Sequence, residues 1–117
     1  MQAVSVHVVD IAYGKVARGM KVENFRVEPT GLRSLVLGQV GDNGLLEGLA
    51  ERETLFEIGQ FELHLHVADY YRDLGVELPK PAFIEVQLFR FSIFDMGQHY
   101  HLPVKLSPWG LSCFRGA

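Results

Sequence analysis

Apolar and polar residues alternate with a period of two in several short stretches of this chain, and each stretch is closed by Gly, Pro, Asp or Asn. A period of two is the repeat of a strand whose two faces meet different surroundings. Many such runs at close spacing, with turn residues between them, are the pattern of an all-β sandwich or barrel. In the first strand Val4, Val6 and Val8 point one way and Ser5, His7 and Val9 the other. A second strand is expected over 20–27 and a third over 35–39, followed by the turn Gly41-Asp42-Asn43-Gly44, so that Leu45 leaves a tight turn. Phe61, Leu63, Leu65 and Val67 then alternate with Glu62, His64 and His66, which predicts a half-buried strand with a wet outer face.

Directly after it, Asp69 is placed to cap a short helix through Tyr70, Tyr71, Arg72 and Leu74, with Gly75 as a left-handed stop. Pro79 and Pro81 forbid a central strand in the stretch that follows. A long strand is expected over 83–93, with Ile84, Val86 and Leu88 on one face. Two closing strands, 99–106 and 111–114, meet at Ser107-Pro108-Trp109-Gly110. The chain thus reads as a two-sheet β-sandwich with one short helix.

The length of 117 residues suits one domain, 1–117, with a core of its own. With 48% apolar and 21% charged residues the chain is globular in composition. A net charge of -3 and scattered Lys and Arg provide no basic field for a nucleic acid partner. No apolar run approaches the roughly 20 residues of a membrane helix, so no membrane partner is expected. The first twelve residues lack the basic start of a signal peptide. Cys113 is the sole cysteine, which fits a reduced, cytoplasmic setting.

Histidine carries most of the chemistry on offer: His7, His64, His66, His99 and His101, with no phosphate loop and no CxxC pair. Each His-x-His pair would sit on one strand face about 7 Å apart, within reach of a shared metal ion. His64 and His66, alternating with Leu63 and Leu65, read as a solvated face in preference to metal ligands. His99 and His101 alternate with Tyr100, Leu102 and Val104, so both imidazoles point away from the interior.

The two ends of the chain resemble the signature stretches of the 5-hydroxyisourate hydrolases of the transthyretin-like family. The first is Ser5-Val6-His7-Val8-Val9-Asp10. The second runs from His99-Tyr100-His101-Leu102-Pro103 through Leu106-Ser107-Pro108-Trp109-Gly110 to Cys113-Phe114-Arg115-Gly116-Ala117, similar to the family's closing Tyr, Arg, Gly, Ser. Between them, Gly59-Gln60-Phe61-Glu62-Leu63 resembles the family's fifth strand and Asp69-Tyr70-Tyr71 its short helix.

The resemblance implies a transthyretin-like sandwich and a homotetramer, a dimer of dimers, with active sites in a channel where the dimers meet. It implies ring opening of 5-hydroxyisourate, a small heterocycle of urate breakdown, by addition of water to a ring carbonyl without a metal or other cofactor. By position His7 and His101 match the family's two histidines, one to take a proton from water and the other to orient or protonate. Arg115 matches the arginine of the closing motif, and Leu45, His99, Phe114, Arg115 and Ala117 are the expected substrate-side residues. Three of these depart from the family pattern. Leu45 stands where the family has an arginine after its Asp-Gly turn, Phe114 replaces the closing tyrosine, and Ala117 replaces the serine. A binding module that kept the channel and lost catalysis is the competing expectation, and a metal enzyme using the His-x-His pairs is a third.

Overall fold

A computed structural model describes residues 3–116. Two four-stranded sheets face each other across an apolar interior. The first has the order β2-β1-β7-β8, built from β1 (Val4–Asp10), β2 (Lys15–Val16), β7 (Tyr100–Ser107) and β8 (Gly110–Cys113). The second has the order β4-β3-β5-β6, built from β3 (Lys21–Glu28), β4 (Gly31–Gln39), β5 (Gly59–Leu65) and β6 (Gln87–Ile93). Every paired contact is antiparallel except β1 with β7, which run parallel.

The alternation seen in the sequence becomes the core. Val4, Val6 and Val8 of β1 and Tyr100, Leu102, Val104 and Leu106 of β7 are buried, and they face Val22, Phe61, Leu63, Leu65 and Ile93 of the other sheet. Each such side chain contributes about 1.5–3 kcal/mol by leaving water. A slip of one residue in β1 or β7 would turn the valines outward and the imidazoles inward, so core packing also fixes which way the histidines point.

Several expected elements are corrected. β2 went unforeseen because two residues are too short for a periodic signal. β4 begins at Gly31, earlier than expected, since residues 31–34 are an exposed hairpin arm with no apolar alternation to betray it. α1 spans Val67–Asp73 with His66 at its N-cap, so Asp69 lies in the first turn and does not cap it. Burial of Val67 and Ala68 draws the helix start back against the core, while Gly75 does stop it, at φ +83°. The strand expected over 83–93 is regular only from Gln87, because Glu85 is turned aside to Arg72 and to the Ala82 amide. In β6 the exposed Leu88 faces outward and Ile93 inward.

The outer face of β5 is not wet either. Glu62 is 4% exposed, accepting hydrogen bonds from Arg90 Nε at 2.8 Å and from His64 Nε2 at 2.8 Å. The bond to His64 leads the effects that hold the Glu62 carboxyl below its usual range, with Arg90 adding to it.

Asp10 closes β1 with its side chain fully buried, and four donors surround the carboxylate. Tyr70 and Tyr71 hydroxyls donate at 2.9 and 2.7 Å, and the Ala12 and Tyr13 amides at 3.0 and 3.3 Å. Burial, then the bond to Asp10, raises both phenols above their ordinary range, so they remain donors. A buried carboxylate is tolerated only when paired in this way. The cluster ties α1 to the strand that carries His7.

Candidate active site

The parallel register of β1 and β7 sets Ser5 opposite His101 and His7 opposite Pro103. The inward neighbours Val4, Val6, Val8, Tyr100 and Leu102 are apolar and buried, so Ser5, His7 and His101 share the outer face of the β2-β1-β7-β8 sheet. His99, just before β7, joins them. Its ring lies 6.4 Å from that of His101 and within 17° of parallel.

One hydroxyl links the two rings. Ser5 Oγ is 2.8 Å from His99 Nε2 and 2.7 Å from His101 Nδ1. Burial first, then the neighbouring His99 and His7, lowers the pKa of His101 below its ordinary value. A neutral imidazole at working pH is the form that can accept a proton.

His7 is held by the turn after β4. The Gly44 amide bonds the Gly41 carbonyl at 3.0 Å, and the Leu45 amide bonds Asn43 Oδ1 at 3.0 Å. The turn then docks on the open edge of β1, through Val8 N to Gly44 O at 2.9 Å and Leu46 N to Val6 O at 2.8 Å. This places Leu45 opposite His7 in an antiparallel bridge. The Asn43 carbonyl lies 3.1 Å from His7 Nε2, and a carbonyl only accepts, so Nε2 is the donor and the neutral ring would hold its lone pair on Nδ1. Gly44 makes this approach possible. At φ +84°, a Cβ there would stand 2.5 Å from His7 Nε2.

The C-terminal segment returns along the other side of His101. Gly116 N bonds His101 O at 2.7 Å, and a Cβ on Gly116 would meet Pro103 at 3.0 Å. Arg115 stacks over the Tyr100 ring at 4.4 Å and donates to Gln98 Oε1 at 2.8 Å and to the His99 carbonyl at 3.2 Å. Its guanidinium thus braces the backbone on which His99 and His101 sit. Phe114 is exposed beyond the end of β8. Ala117 lies outside the described residues.

A cavity of about 310 Å³ opens beside this cluster, lined by Ser5, Asn43, Leu45 and Leu49 among others. A larger groove of about 560 Å³ lies elsewhere, against Phe83, Leu88 and Trp109. Its ionisable group is Cys113, whose thiol burial pushes up to about 12, so proton exchange near neutrality belongs to the histidine face.

Among the described residues no group of three or more His, Cys, Asp and Glu is placed to hold a metal ion. His64 and His66 do not share a strand face, since His66 sits at the N-cap of α1 while His64 packs on Phe25 at 4.4 Å and on Glu62. Among the described residues no helix is long and apolar enough to cross a membrane.

Residues 4–116 match the model of the HIUase/Transthyretin family. The chain belongs to that family. Among its HIUase/transthyretin relatives, the 5-hydroxyisourate hydrolase 2 of Rhizobium meliloti is 38% identical, over 97% of this chain and 94% of the relative. The 5-hydroxyisourate hydrolase of Ralstonia nicotianae is 36% identical over the whole of both chains. A solved structure of (S)-allantoin synthase superposes with a TM-score of 0.85 at 28% identity, over 97% of this chain and 43% of the other. The transthyretin-like architecture expected from the sequence is therefore the one found.

Ser5, Asn43 and Gly44 were not singled out as site residues in the sequence. Ser5 could have been, because its phase in β1 is that of His7. The roles of Asn43 and Gly44 depend on the turn docking against β1, which no local pattern announces.

Proposed function

We propose that this protein hydrolyses 5-hydroxyisourate, opening its ring by histidine-assisted attack of water on a ring carbonyl, as the names of its relatives suggest. The observation that carries the reading is the set of imidazoles on one sheet face, with a neutral His101 and a His7 whose Nε2 meets the Asn43 carbonyl, while their neighbours Ser5 and Leu45 line a small cavity. One imidazole takes a proton as the water oxygen bonds to the carbonyl carbon. The other orients the substrate, or returns a proton to the ring nitrogen as the C–N bond breaks. Leu45, His99 and Phe114 form the substrate side, and Arg115 acts through the backbone it braces.

The face is shallow on one protomer, and a homotetramer, a dimer of dimers in the cytoplasm, would enclose it between copies. Light scattering should give about four subunits, and a monodisperse monomer would remove the channel. Freshly made 5-hydroxyisourate should lose its ultraviolet absorbance faster with protein than without, in proportion to protein and regardless of chelator. A rate equal to spontaneous decay would refute the hydrolase.

Leu45 favours a second reading, a binding module or hydrolase for a less polar ring. It borders His7 where the family has a cation, and its 38% exposed side chain offers no hydrogen bond.

A further inference from the structure

Ser5 contacts both His99 Nε2 and His101 Nδ1, and nothing in its chemistry lets it serve the two rings alike as a donor. A hydroxyl has one proton and two lone pairs. If Ser5 donates to one ring it can only accept from the other, so the protonation state of each imidazole is tied to that of its neighbour. The tie is short, 2.8 and 2.7 Å, and it is set by the parallel register that puts Ser5 opposite His101.

We propose that Ser5 is a positioning residue that couples the tautomers of His99 and His101 and passes a proton between them during hydrolysis, an inference that rests on the hydrolase reading above. At rest Ser5 donates to His99 Nε2 and accepts from the Nδ1–H of His101, which leaves the lone pair of His101 Nε2 facing water. In the attack step the water O–H bond breaks, its oxygen forms the new bond to the carbonyl carbon, and its proton goes to His101 Nε2. The Nδ1 proton of His101 moves to Ser5 Oγ, and the hydroxyl proton of Ser5 moves to His99 Nε2. His101 ends as the neutral Nε2–H tautomer, Ser5 as a hydroxyl, and His99 as the imidazolium. The reverse shift delivers the Nε2 proton to the ring nitrogen as the C–N bond breaks and returns every group to its starting form.

The surroundings of His101 give the shift a purpose. Burial and two neighbouring imidazoles oppose a positive charge on that ring. Moving the charge to His99 lets His101 act as base and then acid without holding it. The near-parallel rings, 6.4 Å apart, leave room for one hydroxyl between them.

The test compares wild type with Ser5→Ala and Ser5→Thr, using 5-hydroxyisourate turnover, a proton inventory in mixed light and heavy water, and imidazole ¹⁵N spectra of the unliganded protein. Ser5→Ala should lower kcat roughly tenfold to a hundredfold with KM within about twofold, and Ser5→Thr should recover most of the loss. The inventory should be curved in wild type, with more than one proton in flight, and linear in Ser5→Ala. The His101 nitrogens should report a single tautomer in wild type and a mixture in Ser5→Ala. A Ser5→Ala enzyme with kcat within about twofold and unchanged His101 shifts would overturn the proposal. So would a linear wild-type inventory, which decides the matter even if Ser5→Ala fails to fold. Absence of wild-type turnover would instead defeat the hydrolase reading. The spectra would then decide the tautomer coupling on their own, unchanged shifts in Ser5→Ala overturning it and altered ones supporting it.

Discussion

Replacing Gly44 with alanine should damage the site more than the fold, and the size of each effect follows from the geometry. At φ +84° an L side chain costs about 1–2 kcal/mol. For a chain of this length that lowers Tm by roughly 4–10 °C. The new Cβ would lie 2.5 Å from His7 Nε2 and 2.8 Å from Val16 Cγ1, about 1 Å inside normal contact. Something must move, and the His7 ring is freer to turn than the backbone bonded to β1 on either side. Turning it breaks the 3.1 Å bond to Asn43 O and with it the fixed tautomer. A misplacement of about 1 Å costs on the order of a hundredfold in rate. Turnover of 5-hydroxyisourate, measured beside a thermal melt, should therefore fall about a hundredfold while the protein stays folded at assay temperature. A Gly44→Ala protein of full activity would refute the idea that this turn positions His7.

Tyr71→Phe should cost about 1.5–3 kcal/mol in denaturant melts, because it removes a 2.7 Å donor from a buried carboxylate; an unchanged midpoint would mean that Asp10 is satisfied without it. His101 has a folded pKa below its ordinary 6.5, so the unfolded chain binds the extra proton first. The stability His101 contributes is then complete above pH 6.5 and is lost as pH falls through the lower folded value. The acid limb of kcat/KM should lie below pH 6.5 for the same reason, and a limb above 6.5 would contradict it. Leu45→Arg should raise turnover of 5-hydroxyisourate by about tenfold or more if a cation beside His7 is what the wild type lacks, one charge-assisted hydrogen bond being worth about 1.5–3 kcal/mol. No gain in an already fast enzyme would make Leu45 a neutral replacement.

The sandwich was legible because its two central core strands, β1 and β7, carry clean alternation, with valines or large apolar residues inward and histidines outward. That same alternation predicted the outward direction of His7 and His101. β6 was harder, since Leu88, Phe89, Phe91 and Ile93 are apolar on both phases and only the opposite sheet decides which side is covered. Glu62 and His64 looked like a wet face because each is polar, yet Glu62 is buried between His64 of its own strand and Arg90 of β6, and only the register of β5 with β6 brings Arg90 there. The site was half legible. Its imidazoles were expected, whereas the Ser5 bridge and the Asn43 carbonyl arise from contacts between segments 94 and 36 residues apart or more. The bracing of His99 by Arg115 was hidden for the same reason, since the closing motif suggested a substrate contact.

The outer-face imidazoles carry the proposed chemistry, and the most direct measurement is the turnover of 5-hydroxyisourate by His7→Asn and His101→Asn beside wild type, with folding checked by melting. Each substitution keeps a polar side chain of similar bulk and removes the titrating ring. Each should lower kcat by about a hundredfold or more with the fold intact, the loss expected for a positioned acid or base. Folded variants that retain wild-type turnover would show that the chemistry lies elsewhere on the protein.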